Sequence, residues 1–142
     1  MKRYFLVILA MYISWHVSAQ EVGSVTVHIS EVNEVQGYMM IAVYDSAEHF
    51  LSKELVAGAK VEVSTETVVY EFPDLPFGKY AISVYHDVDS DGRLDTNFIG
   101  IPKEPYGFSN NDMGLFGAPS YDRAVFLLQE KNHNIQITLK GG

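Results

Sequence analysis

Hydrophobic and polar residues alternate with a period of two in one short run after another along this chain. Val25, Val27 and Ile29 fall on one side of an extended segment, with Ser24, Thr26, His28 and Ser30 on the other. Successive side chains of a strand point to opposite faces, so this pattern predicts a strand with one face buried. Tyr38 to Tyr44 is apolar on both faces and rich in β-formers. Val61 to Val63 and Thr67 to Phe72 flank a polar turn at Ser64, Thr65 and Glu66. Between Tyr80 and His86, the set Tyr80, Ile82, Val84 and His86 alternates with Ala81, Ser83 and Tyr85. Ala124 to Leu128 and Ile135 to Leu139 add two further runs. Together they predict an all-β chain, an antiparallel β-sandwich of about seven strands, immunoglobulin-like or transthyretin-like, with one long irregular loop.

Asp45 to Leu51 is the one helix candidate, with Asp45 as its cap and Glu48 closing a capping box. It is too short for a crossover between parallel strands. Pro76 and Gly78 turn the chain just before Tyr80. A tyrosine there is expected to be structural, its hydroxyl satisfying backbone at the corner of a sandwich. From Thr96 to Tyr121 the periodicity stops. This stretch holds four Gly, three Pro and the aromatics Phe98, Tyr106, Phe108, Phe116 and Tyr121. A loop of this length is functional or disordered, and five aromatics argue against disorder. They are expected to pack back on the sandwich or to line a ligand groove.

The chain has 142 residues, 47% of them hydrophobic and 20% charged, which is the composition of one globular domain. Ten Lys and Arg against 18 Asp and Glu give a net charge of -8, the wrong sign for meeting nucleic-acid phosphates. With no Cys, the chain has no disulfide framework, no thiol catalysis and no thiolate zinc site.

The first 19 residues read as an address. Lys2 and Arg3 precede an uncharged apolar run of 12 residues, Tyr4 to Trp15, followed by Val17-Ser18-Ala19. This is the pattern of a cleaved secretory signal, too short to span a bilayer, which takes roughly 20 residues. Export to the periplasm or the medium is the expectation. Residues 20–142 are then a single sandwich domain with no membrane span. Cleavage removes two cations and no acid, which takes the net charge from -8 to -10.

Chemistry concentrates in one acidic run, Asp87-Val88-Asp89-Ser90-Asp91-Gly92-Arg93-Leu94-Asp95. Asp87, Asp89, Asp91 and Asp95 occupy positions 1, 3, 5 and 9 of a Ca²⁺ loop, with Gly92 at the reversing position 6. Arg93, at position 7, is expected to offer its carbonyl, because its side chain is cationic. Two carboxylates about 5 Å apart repel by roughly 3 kcal/mol at an effective dielectric of about 20, so four in nine residues favour a bound cation. Position 12 holds Phe98 in place of a bidentate Glu, and the flanks read as strand and loop. The run is therefore an EF-hand-like loop on a β scaffold and no EF-hand. Ca²⁺ takes six to eight oxygens, more than this loop supplies. Asn97 and Glu104 are candidates for the remainder, with water. The bland alternative is a solvated acidic turn.

From His86 to Asn97, and from Gly100 through Pro102, Pro105, Tyr106, Gly107 and Phe108 to Asn110, the chain resembles the signature of an exported bacterial family, domain of unknown function 2141. Leu75 to Ala81 and Phe116 to Pro119 also fit. The resemblance implies export and a β-rich domain, and it implies no activity.

Two function classes follow. In the first, the chain is a non-catalytic binding or structural module whose Ca²⁺ loop orders the aromatic segment, with Phe98, Glu104, Tyr106 and Phe108 offered to an envelope protein or a glycan. In the second, it is a Ca²⁺-dependent envelope hydrolase with Glu104 or His86 as acid or base. No nucleophile elbow, phosphate loop or H-E-x-x-H motif supports catalysis. A grouping of Ser109, His86 and an Asp has no support from spacing. A third expectation, packing against other envelope proteins, calls for an exposed apolar patch.

Overall fold

The computed structural model describes residues 20–115 and 117–141, so the expected signal segment and Phe116 lie outside the described residues. Among the described residues eight strands form two sheets: β1 (Val22–Ser30), β2 (Tyr38–Tyr44), β3 (Ala57–Glu62), β4 (Val68–Pro76), β5 (Gly78–Asp87), β6 (Tyr106–Phe108), β7 (Phe126–Leu128) and β8 (Asn132–Thr138). One sheet runs β4-β1-β8 and the other β3-β2-β5-β6, with β7 also on β5. The chain is thus all-β, as the alternation predicts.

The sheets bury the predicted stripe. Val25, Val27 and Ile29 of β1 face Met39, Ile41 and Val43 of β2, and Ile82 and Val84 of β5, in one core with Phe72, Ile135 and Ile137. Each fully buried aliphatic side chain contributes about 1.5–3 kcal/mol. Tyr80 closes one end, its hydroxyl donating to the Pro76 carbonyl at 2.8 Å. Its phenol is pushed above the ordinary value by burial, and further by the Asp45 charge.

Three features depart from the sequence reading. The sandwich is not wholly antiparallel, because β1 and β8 pair in parallel over Ser24–Ser30 and Asn132–Thr138. Alternation is the same in either direction, and the whole second sheet serves as the connection that parallel strands need. Asp45 to Leu51 forms turns and no helix. Ser46 Oγ, and not Asp45, accepts the His49 N–H, and Leu51 ends the run at a φ of 63°. Among the described residues the α-helix that does form is the single turn Tyr121–Ala124, which starts at the last residue of the segment read as loop and ends at the first residue of the run read as a strand.

The irregular segment crosses the outer face of the larger sheet. Phe108 is buried there with Ala81 and Ala124, packed by Phe50, Tyr106 and Tyr121. The Phe50 ring meets Tyr44, Phe108 and Tyr121 at centroid distances of 5.5, 6.3 and 5.8 Å. β6 is the strand that period-two reading missed. Gly107 at its centre faces inward, where a Cβ would sit 2.7 Å from Ile137 Cγ2.

Candidate metal centre

β5 delivers the site. Its last two residues, His86 and Asp87, point to opposite faces and are both fully buried. The His86 ring, on the core side, donates through Nε2 to the Gln36 carbonyl at 2.7 Å. A carbonyl only accepts, so Nε2 carries a proton and the remaining ring nitrogen is Nδ1. That nitrogen is buried without a partner. Next to Gln36, Gly37 takes a φ of 70° and lies on Asp87 and Val88, where any Cβ would collide with their carbonyl oxygens.

Past Asp87 the chain reverses through left-handed Ser90 and Gly92, with φ of 65° and 79°. Each of three aspartates braces the turn with one carboxylate oxygen. Asp87 Oδ2 accepts the Gly92 N–H at 3.0 Å, Asp89 Oδ1 the Asp91 N–H at 3.2 Å, and Asp91 Oδ1 the Arg93 N–H at 2.7 Å. One carboxylate oxygen from each of Asp87, Asp89 and Asp91 lies within 4.8 Å of the others. Asp89 and Asp91 are exposed, whereas Asp87 is buried and its Oδ1 has no hydrogen-bond partner. A buried carboxylate oxygen left unpaired is costly, and a cation relieves both that cost and the mutual repulsion.

Asp95 stands outside this convergent group, and its side chain, like that of Arg93, is exposed. Its backbone is pinned instead: the carbonyl accepts the Lys103 N–H at 2.8 Å. Glu104, nearly buried, spans the loop. Its Oε1 accepts the Val88 N–H at 2.9 Å and its Oε2 the Asp95 N–H at 3.1 Å. Both oxygens thus clamp the two ends of the acidic run together. Asn97 has a comparable task, its Oδ1 accepting the N–H groups of Ile99 and Ile101, each at 3.0 Å. That fixes a small hairpin, closed by a bridge between Thr96 and Pro102, with Phe98 fully exposed at its tip.

Tyr85 ties the loop to the outer sheet face. Its hydroxyl lies 3.4 Å from the Gly92 carbonyl. Burial raises its phenol above the ordinary value, and the charges of Asp87, Glu104 and Asp91 raise it further. Beside the loop lies a cleft of about 340 Å³ whose lining includes His86, Asp89, Asp95, Lys103 and Glu104. The four residues read as ligand-facing therefore separate: Phe98 projects into solvent, Glu104 is a backbone clamp, Phe108 is packed, and Tyr106 is half-buried on an apolar groove.

Sequence reasoning missed the anchors of the far end of the segment. Ser109, fully buried, accepts the Ile82 N–H at 2.9 Å and donates to the Ala124 carbonyl. This ties up its hydroxyl at the edge of β5. Asn110 donates to the Arg123 and Val125 carbonyls at 3.1 and 2.9 Å, and Asn111 spans Gln136 and Thr138 of β8. Asn110 and Asn111 adopt φ of 64° and 53°, a conformation Asn tolerates better than most residues. The consecutive Asn pair is the signal that marks them.

Fold and loop together define a two-sheet β module with an acidic turn at the exit of its central strand. The chain belongs to a family described as uncharacterized and conserved in bacteria, domain of unknown function 2141, whose model matches residues 27–136. No curated protein and no solved structure matches the chain.

Proposed function

We propose that this chain is an exported, non-catalytic binding or structural module in which a divalent ion, Ca²⁺, held by the 87–95 loop, orders the aromatic-rich segment that follows. The observation that carries this reading is the Asp87 carboxylate. It is fully buried, one oxygen lacks a hydrogen-bond partner among the described residues, and carboxylate oxygens of Asp89 and Asp91 converge beside it. Hard oxygen donors on a flexible turn suit Ca²⁺ better than Mg²⁺, which demands near-ideal octahedral geometry. Asp87, Asp89 and Asp91 would ligate directly, the Arg93 carbonyl and Asp95 would complete the loop's share, and water would supply the rest.

The ion's task is mechanical. It would neutralise the turn that Glu104 already fastens to the hairpin, and so fix residues 96–102 against the sheet. Export rests on the charge and hydropathy pattern of residues 1–19. Among the described residues no helix is long and apolar enough to cross a membrane. The hydrolase reading gains no specific support, because Glu104 spends both oxygens on backbone amides and His86 spends Nε2 on the Gln36 carbonyl. The test is the melting temperature of the wild type and of Asp89→Ala/Asp91→Ala with and without Ca²⁺. A rise in the wild type alone supports the reading, and no rise in either removes the metal from it.

A further inference from the structure

The outer face of the larger sheet is apolar where a sandwich normally meets water. Met40 and Ala42 of β2, Ala81 of β5 and Phe108 of β6 share it. The 45–55 turns and the 94–121 segment cover only part of it. The uncovered remainder forms two hollows, of about 530 and 340 Å³, that share Tyr44, Ser83 and Tyr85 and so make one trough across the strands. Four strands spaced about 4.8 Å apart give it a length of about 14 Å.

Its charge distinguishes it from the rest of the molecule. On a chain with 18 Asp and Glu, no acidic residue lines either hollow, yet Lys53 and Lys60 both line the larger one. Neither lysine makes an ion pair among the described residues, and the Lys60 ammonium rests 3.9 Å from the centroid of the Tyr38 ring. Among the described residues no charged side chain lines the smaller hollow, beneath Leu94 and Pro102. An apolar floor with two cations at one end and none at the other fits a ligand with a hydrocarbon body and a single anionic head.

We propose that this trough binds a single-chain anionic amphiphile, its head against Lys53 and Lys60 and its chain running over Ala42 and Ser83 towards Tyr85 and Leu94. Both hollows are read from the sheet face and its lysines, so the trough stands independently of the metal reading. The shared chemistry, an acyl chain with an anionic head, belongs to free fatty acids and to lysophospholipids alike.

The test is calorimetric titration of the folded wild-type protein with dodecanoate below its micellar concentration, in chelator, so that neither calcium soaps nor the ion site contribute. Dodecanol supplies the chain without the charge, acetate the charge without the chain, and lysophosphatidylglycerol the lipid source. The expected result is saturable one-to-one binding of dodecanoate, about fivefold tighter than dodecanol, with acetate silent. That preference is lost in Lys53→Gln/Lys60→Gln, whose exposed positions leave the fold intact. Tighter binding of lysophosphatidylglycerol than of dodecanoate would assign the site to lipid, and the reverse order to free fatty acid. Amide shifts on binding fall at Ala42, Ala59 and Ser83. No saturable binding of either anionic amphiphile, equal affinity for dodecanol, an unchanged preference in the double variant, or shifts confined to other surfaces would each overturn the proposal. Because calcium is absent, failure here leaves the metal reading untouched, and success here does not depend on it.

Discussion

Asp87 receives the Gly92 N–H on one carboxylate oxygen at 3.0 Å and buries the other with no hydrogen-bond partner among the described residues. Closing the turn therefore strands half of a charge inside it. A cation at that oxygen reverses the sign of the side chain's contribution. Asp87→Asn separates the two states. In chelator the variant, relieved of a buried unpaired charge, unfolds at an equal or higher urea concentration than the wild type. In Ca²⁺ at about a hundred times the dissociation constant the order inverts, the wild type gaining about 2.7 kcal/mol that the variant lacks. Urea unfolding in the two buffers checks the crossing.

Glu104 acts on the same loop from the other side, bonding the Val88 and Asp95 amides at 2.9 and 3.1 Å. Truncation in Glu104→Ala frees both ends of the acidic run. The expected cost is about 1.5–3 kcal/mol for each bond to a charged group, less what water recovers. Amide hydrogen exchange is the direct readout. Protection falls at Val88 and Asp95, while the core amides of β1 and β2 lose only what the global stability loses.

Tyr80→Phe removes the hydroxyl that satisfies the Pro76 carbonyl and should cost about 1 kcal/mol in denaturant unfolding at neutral pH. Alkali supplies a second test. Burial, then Asp45, holds the Tyr80 phenol above its ordinary value of 10.0 in the folded protein. The folded state thus keeps its proton where the unfolded state has released it. The stabilising contribution is complete below pH 10 and is lost as pH rises through the folded value. Tyr85 and Tyr121, raised by burial as well, act in the same direction. Stability should fall above pH 10, less steeply in the Phe variant.

Gly107 holds β6 against β8 at a spacing only glycine allows. Gly107→Ala would set a methyl 2.7 Å from Ile137 Cγ2 and 3.2 Å from the Thr138 carbonyl. Such overpacking costs about 1–3 kcal/mol. Displacement of β6 would also disturb the Phe108 cluster, which near-ultraviolet circular dichroism of the aromatic rings would register.

What the sequence made legible follows from physics that is local. Val25, Val27 and Ile29 announce β1 because burial on one face imposes a period of two, and Pro76, Gly78 and Tyr80 announce a corner because turn chemistry lies within a few residues. The acidic run shows its turn for the same reason, and Gly92 does take a φ of 79°. Hidden were the features set by contacts far apart in the chain. Nothing in Ile135 or Ile137 shows that β8 runs parallel to β1. β6 is only three residues long, with a glycine at its centre, and so has no period to detect. Glu104 reads as a spare metal ligand until the amides of Val88 and Asp95 are seen beneath it, and nothing in the sequence shows that Ile82 and Ala124 occupy the Ser109 hydroxyl.

Whether the 87–95 loop holds Ca²⁺ is decided by calorimetric titration of the folded protein with CaCl₂, beside Asp89→Ala/Asp91→Ala. A loop that binds the ion gives saturable heat with one ion per chain in the wild type and none in the double variant. Absence of heat in the wild type up to millimolar Ca²⁺, or equal heat in both proteins, would contradict binding at this loop.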